Sequence, residues 1–127
     1  MDLPSPYTPD VKNFDAYNQA LLLVEKVYEI TKEQLFCREG LLKNGLRKNA
    51  TSCAANIAEA HQLYVPVTFH FFNNALQALN GLDSLLDTSL SKGIVSKKNL
   101  KDIKQLRVSI RNILSKRMAN IRRKRVS

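Results

Sequence analysis

Three of the four prolines, Pro4, Pro6 and Pro9, fall within the first ten residues, and the remainder of the 127-residue chain holds one more, Pro66, with only four glycines. Proline and glycine are the residues that interrupt helices, at about 3 and about 1 kcal/mol relative to alanine. A chain this poor in breakers is committed to long helices, and their apolar seams must supply the core. The length suits one domain whose core needs neither disulfide nor metal.

Residues 1–12 read as an extended, proline-rich lead-in, with Thr8-Pro9-Asp10 a candidate helix start and Asn13 the competing N-cap. A first helix to about Gln34 follows from Phe14, Tyr17, Leu21, Val24 and Tyr28, which recur at spacings of three and four. A turn around Phe36 and Cys37 leads to a second helix, Arg38 to Tyr64, with its seam at Leu42, Leu46, Ala50, Cys53, Ile57, Ala60 and Tyr64. Pro66 then calls for a break or sharp kink, because it disfavours the helical conformation in the residue before it.

The third helix, about Val67 to Leu90, carries two seams: Phe69, Phe72, Leu76, Leu79, Leu86 and Leu90, and beside it Phe71, Ala75, Ala78, Leu82 and Leu85. Together they exceed the stripe of about 100° that a helix needs to face one core, which points to a second contact surface, most simply a subunit interface. Gly93 is placed to take a left-handed cap and Ser96 to cap the helix after it. That fourth helix puts Leu100, Ile103, Leu106, Ile110, Ile113, Leu114 and Ile121 inward. The fold class is all-α, an antiparallel up-and-down four-helix bundle over residues 13–121, with 122–127 as a basic tail.

Charge is concentrated at one end. From Lys97 onward twelve Lys or Arg oppose a single acid, Asp102, whereas everything before sums to −2 of the net +9. An ordinary solvated helix face mixes signs; this one suits a polyanion. Lys97, Lys101, Lys104, Arg107, Arg111, Lys116, Arg117, Arg122, Arg123, Lys124 and Arg125 are the candidate nucleic-acid contacts, to phosphate and shape, since 7% aromatics, none of them Trp, offer little for base stacking. A protein-interaction scaffold with an acidic partner is the alternative reading.

Other chemistry finds little support. His61 and Glu59 are two residues apart and so on different faces, and His70 has no carboxylate within a turn, so no metal or other cofactor is expected. Asp83 and Asp87 share a face but read as a solvated or salt-bridged pair, and no nucleophile has a partner base; the chain is read as not an enzyme. Cys37 and Cys53 lack CxxC spacing and suit a reducing cytoplasm. The longest apolar run, about Ala20 to Val24, falls far short of the ~20 residues of a membrane span, so no membrane partner is expected. Asn56 and Glu59 read as structural or assembly residues, satisfying backbone groups at a helix end or a subunit junction.

The segment Leu46-Arg47-Lys48-Asn49-Ala50-Thr51-Ser52-Cys53-Ala54-Ala55-Asn56-Ile57-Ala58-Glu59-Ala60 resembles the signature of the four-helix-bundle family of 23S rRNA intervening-sequence proteins, in which an Arg, a Ser and Asn-Ile-Ala-Glu fall on the second helix. Tyr17-Asn18-Gln19-Ala20, Glu39-Gly40-Leu41 and the stretch from Ala75-Leu76 to Leu82-Asp83 agree with it in order. Ala60 and Gly81 depart from the Gly and Glu frequent in the family. Such proteins are similar to the accessory variability determinant of diversity-generating retroelements. The resemblance implies a homo-oligomer, a ring of five subunits, that binds nucleic acid, RNA or DNA, with a reverse transcriptase as protein partner.

Overall fold

The computed structural model describes residues 14–61 and 65–126. Among them are four α-helices, α1 Asp15–Thr31, α2 Gly40–His61, α3 Val65–Ser91 and α4 Lys97–Val126, with a short 3-10 turn, Gln34–Phe36, between the first two. Helix α1 packs on α2 and α4, and α3 packs on the same two, so chain neighbours are spatial neighbours and the first helix closes on the last. This is the expected up-and-down bundle. Its antiparallel sense shows in pairs that run in opposite order: Thr68 Oγ1 donates to the Ala60 carbonyl at 3.1 Å, while Arg122 lies over Phe69 and Arg111 over Asn80.

The helix ends follow local chemistry. Phe14 precedes α1 without a side-chain cap; the starts proposed at Thr8-Pro9-Asp10 and Asn13 lie outside the described residues. The first helix stops at Thr31, earlier than Gln34; there the buried Thr31 hydroxyl donates to the Val27 carbonyl at 2.7 Å and accepts from Arg47 Nε at 2.8 Å. Phe36, fully buried in the 3-10 turn, seals that end of the core. The described part of α2 ends at His61 and α3 begins at Val65, so Pro66 sits in an opening turn, where its missing N–H costs nothing; Tyr64 lies outside the described residues.

Gly93 has φ of +76°, its N–H bonds to the Leu90 carbonyl and that of Ile94 to the Ser89 carbonyl, a Schellman motif. Ser96 Oγ accepts from the Asn99 N–H at 3.2 Å and caps α4. From there α4 continues without interruption through Val126, so most of the segment read as a tail is helix.

The seams of α2 and α4 lie inward much as their spacing requires, but two expectations need correction. In α1 the sealed stripe is Ala16, Ala20, Leu23 and Val27, whereas Leu21 and Tyr28 are 42% and 39% exposed. The small Ala16 and Ala20 let α1 approach its neighbours closely; of the seam read from sequence, Phe14 is buried and Tyr17 and Val24 pack half-buried against the core, while Leu21 and Tyr28 turn outward. In α3 most of the wide apolar arc is taken up inside the bundle: Phe72, Ala75, Ala78, Leu79, Leu82 and Leu86 are buried, and Phe71, Leu76, Leu85 and Leu90 are half-buried against the core, while Phe69 is half-buried under Arg122 and Val67 is 45% exposed. Most of the α3 arc is thus covered within the chain.

Candidate nucleic-acid interface

Helix α4 has thirty residues, about 45 Å at 1.5 Å per residue, against seventeen in α1. Phe14, at the start of α1, lies under the Arg117 guanidinium at 5.2 Å, so Met118–Val126 runs on for about 13 Å beside the opening turns of α3. Arg122 stands 5.3 Å over the Phe69 ring there. Both rings hold their cations by the quadrupole of the aromatic face without removing charge, and Lys116, Arg117 and Arg122 are all exposed. Arg123, Lys124 and Arg125 belong to the last turns of the helix; their side chains lie outside the described structure.

Sequence supplies the reason this end stays cationic. No Asp or Glu stands between Glu59 and Asp83, and none follows Asp102, so the joined ends of α3 and α4 contain no acid. Phe14 stacks on His61 at 4.8 Å and meets Phe72 edge-on, tying the start of α1 to this end. His61 is thus a packed helix-end residue, and no group of three His, Cys, Asp or Glu able to hold a metal occurs among the described residues.

The middle of α4 differs. Arg107 Nε lies 2.7 Å from Asp83 Oδ1, an ion pair lacking the N–H direction of a hydrogen bond. Arg111 donates to Asn80 Oδ1 at 2.6 Å and lies 3.7 Å from Asp83, and Lys104 lies 3.6 Å from Asp87. Asp83 and Asp87 are therefore the salt-bridged pair expected, and three of the candidate contacts, Lys104, Arg107 and Arg111, serve the α3–α4 seam. Burial lifts the Asp83 carboxyl above the ordinary aspartate value despite Arg107 and Arg111 beside it. Burial likewise pushes the Cys53 thiol up to about 12, over the opposing charge of Arg111.

At the start of α4, Lys97 and Lys101 are exposed and make no ion pair among the described residues. Lys98, absent from the sequence-based set, is exposed beside them, and Val108 is 45% exposed. Adjacency to Lys97 was the only signal for Lys98. The candidate contacts thus divide into an initial lysine group, a neutralised middle and a cationic end.

Asn56 is half-buried and donates to the Ser52 carbonyl at 2.8 Å and its hydroxyl at 3.2 Å, within its own helix. Glu59 is exposed. Arg47, quoted from sequence only as part of the family signature and given no role, lies 4.3 Å over the Tyr28 ring while bonded to Thr31 and so clamps α2 to α1. Among the described residues no helix is long and apolar enough to cross a membrane.

The family model described as 23S rRNA-intervening sequence protein matches residues 12–116. No match was found among curated proteins.

Proposed function

The chain belongs to the 23S rRNA-intervening sequence protein family, and from the charge arrangement of α4 we propose that it is a non-enzymatic, homo-oligomeric scaffold that binds nucleic acid. The observation that carries this reading is the acid-free end of the α3–α4 pair, with Lys116, Arg117 and Arg122 exposed on it and three more cations following in sequence. Cations that make no ion pair among the described residues, as these three make none, replace the counterions of a phosphate backbone, and releasing those ions drives binding that is largely independent of sequence. RNA is the first ligand to test and duplex DNA the second. A ring of five copies would present five such ends together and multiply weak contacts by avidity. The protein then acts as an accessory to a nucleic-acid enzyme, a reverse transcriptase being the partner that the family resemblance implies.

The test is fluorescence anisotropy of a labelled RNA hairpin and a DNA duplex across a salt series. With four or five phosphates of a duplex engaged per site, log K falls against log salt with a slope of roughly −3.5 to −4.5. No binding of either ligand at low salt refutes the reading and leaves a protein-interaction scaffold.

A further inference from the structure

Resting on the assembly part of that reading, we propose that copies of this chain join through two different surfaces, the outer face of α1 on one copy against the first half of the outer face of α4 on the next. Helix α1 exposes Leu21, Leu22 and Tyr28, at 42%, 41% and 39%, opposite its sealed stripe. A bundle helix facing water keeps that side polar, and clustered exposed apolar residues mark a contact surface. Glu25 and Glu29 lie on the same exposed side and make no ion pair among the described residues. Carboxylates there repel phosphate, so this face does not belong to the nucleic acid.

The complement is on the same molecule. Among the described residues Lys97 and Lys101 are exposed without acidic partners, and Val108 is the large apolar residue of α4 exposed there. Register strengthens the match. Within one chain Lys26 pairs with Asp102 at 3.5 Å and Phe14 lies under Arg117. Counting along the two antiparallel helices at 1.5 Å per residue, the Lys26–Asp102 contact sets Glu29 level with Asn99 and the Phe14–Arg117 contact sets it level with Asp102, so Lys101 lies at its height to within about 3 Å, as Val108 does at that of Leu22. Acid therefore meets base, and leucine meets valine, when neighbouring copies stand nearly level along the bundle axis.

That geometry selects the assembly. The two surfaces differ, so the contact is head-to-tail; without axial rise, repetition is a rotation that closes on itself, whereas a rise would give a filament. Helices α1 and α4 occupy adjacent corners of the bundle, and outward directions there diverge by roughly a right angle, which suits a ring of about four or five copies. The lysines at the start of α4 then serve assembly, and nucleic acid falls to Lys116, Arg117 and Arg122.

Native mass spectrometry and light scattering on four proteins test this: the unaltered chain, Glu29→Lys, Lys101→Glu, and the two substitutions together. Both altered residues are exposed, and circular dichroism checks that helicity is kept. The unaltered chain is expected as a ring; each single reversal sets like charges opposite and shifts the mass toward the 14.4 kDa monomer; the double variant, with the two charges exchanged, reassembles. An oligomer that survives both single reversals places the interface elsewhere and leaves the assembly reading intact. A monomeric unaltered chain overturns both. Dissociation without recovery in the double variant refutes the α1–α4 pairing, as does a Lys101→Glu protein that keeps its mass and loses RNA binding.

Discussion

Leu21, Leu22 and Leu23 are consecutive, and the fold assigns them opposite duties. Leu23 is fully buried, while Leu21 and Leu22 are about two-fifths exposed. Truncating Leu23 to Ala removes roughly 2 kcal/mol of transfer free energy at about 0.8 kcal/mol per methylene, and an incompletely collapsed cavity raises the total to about 3 kcal/mol. That is a large share of the ~5–15 kcal/mol that stabilises a domain, and for a chain of this size it lowers Tm by about 10 °C. Leu21→Ala and Leu22→Ala are expected within about 0.5 kcal/mol of the parent in the monomer. Urea unfolding followed by circular dichroism at two protein concentrations separates core loss from assembly loss: Leu23→Ala shifts the midpoint at both, whereas the neighbours act only where copies associate. A larger loss for Leu21→Ala than for Leu23→Ala at the lower concentration would show that the seam spaced Phe14, Tyr17, Leu21, Val24 and Tyr28 faces the core after all, and the register of α1 described above would fall.

Three further outcomes follow from single residues. Cys53, buried with its thiol pushed up to about 12, stays unlabelled by iodoacetamide at pH 8 in the folded protein while exposed Cys37 reacts; mass spectrometry showing two adducts without denaturant contradicts this. Asp83 titrates higher in the folded than in the unfolded chain, so it favours the fold below the unfolded value of about 3.9 and that contribution is lost as pH rises through the folded value. Carboxyl-carbon NMR is expected to place its midpoint above 3.9, and a midpoint at or below it refutes the assignment. Gly93→Ala forces a Cβ into a φ of +76° with open space around it, so backbone strain alone costs about 1 kcal/mol, read from urea midpoints, and Gly93→Asn costs less.

The fold was legible wherever one pattern served one neighbour. The seams of α2 and α4, the left-handed Gly93 and the Ser96 cap depend on local chemistry that spacing and residue type express directly. Helix α1 misled in part because alanine is weakly apolar yet allows close approach: Ala16 and Ala20 share the packed face with Leu23 and Val27, and two of the five seam residues, Leu21 and Tyr28, face out. Helix α3 misled the other way, since most of its double seam packs within the chain. For the site, the excess of cations could be counted from sequence, but not which of them α3 would take up. Asp83 and Asp87 lie more than fifteen residues before Lys104, Arg107 and Arg111, and only the antiparallel alignment of two helices brings them together. The division of the basic helix into neutralised middle and open ends is a tertiary property.

The most direct test of the central claim reverses the far end of α4 alone. Lys116→Glu/Arg117→Glu/Arg122→Glu alters exposed residues beyond the neutralised middle, and anisotropy with an RNA hairpin near 0.1 M salt is measured beside the mass of the protein. The expected result is a loss of affinity of at least about 100-fold and a flattened salt slope, with the oligomer mass unchanged. Retained affinity with an unchanged slope would contradict the account and move the nucleic-acid contact away from this end of the bundle.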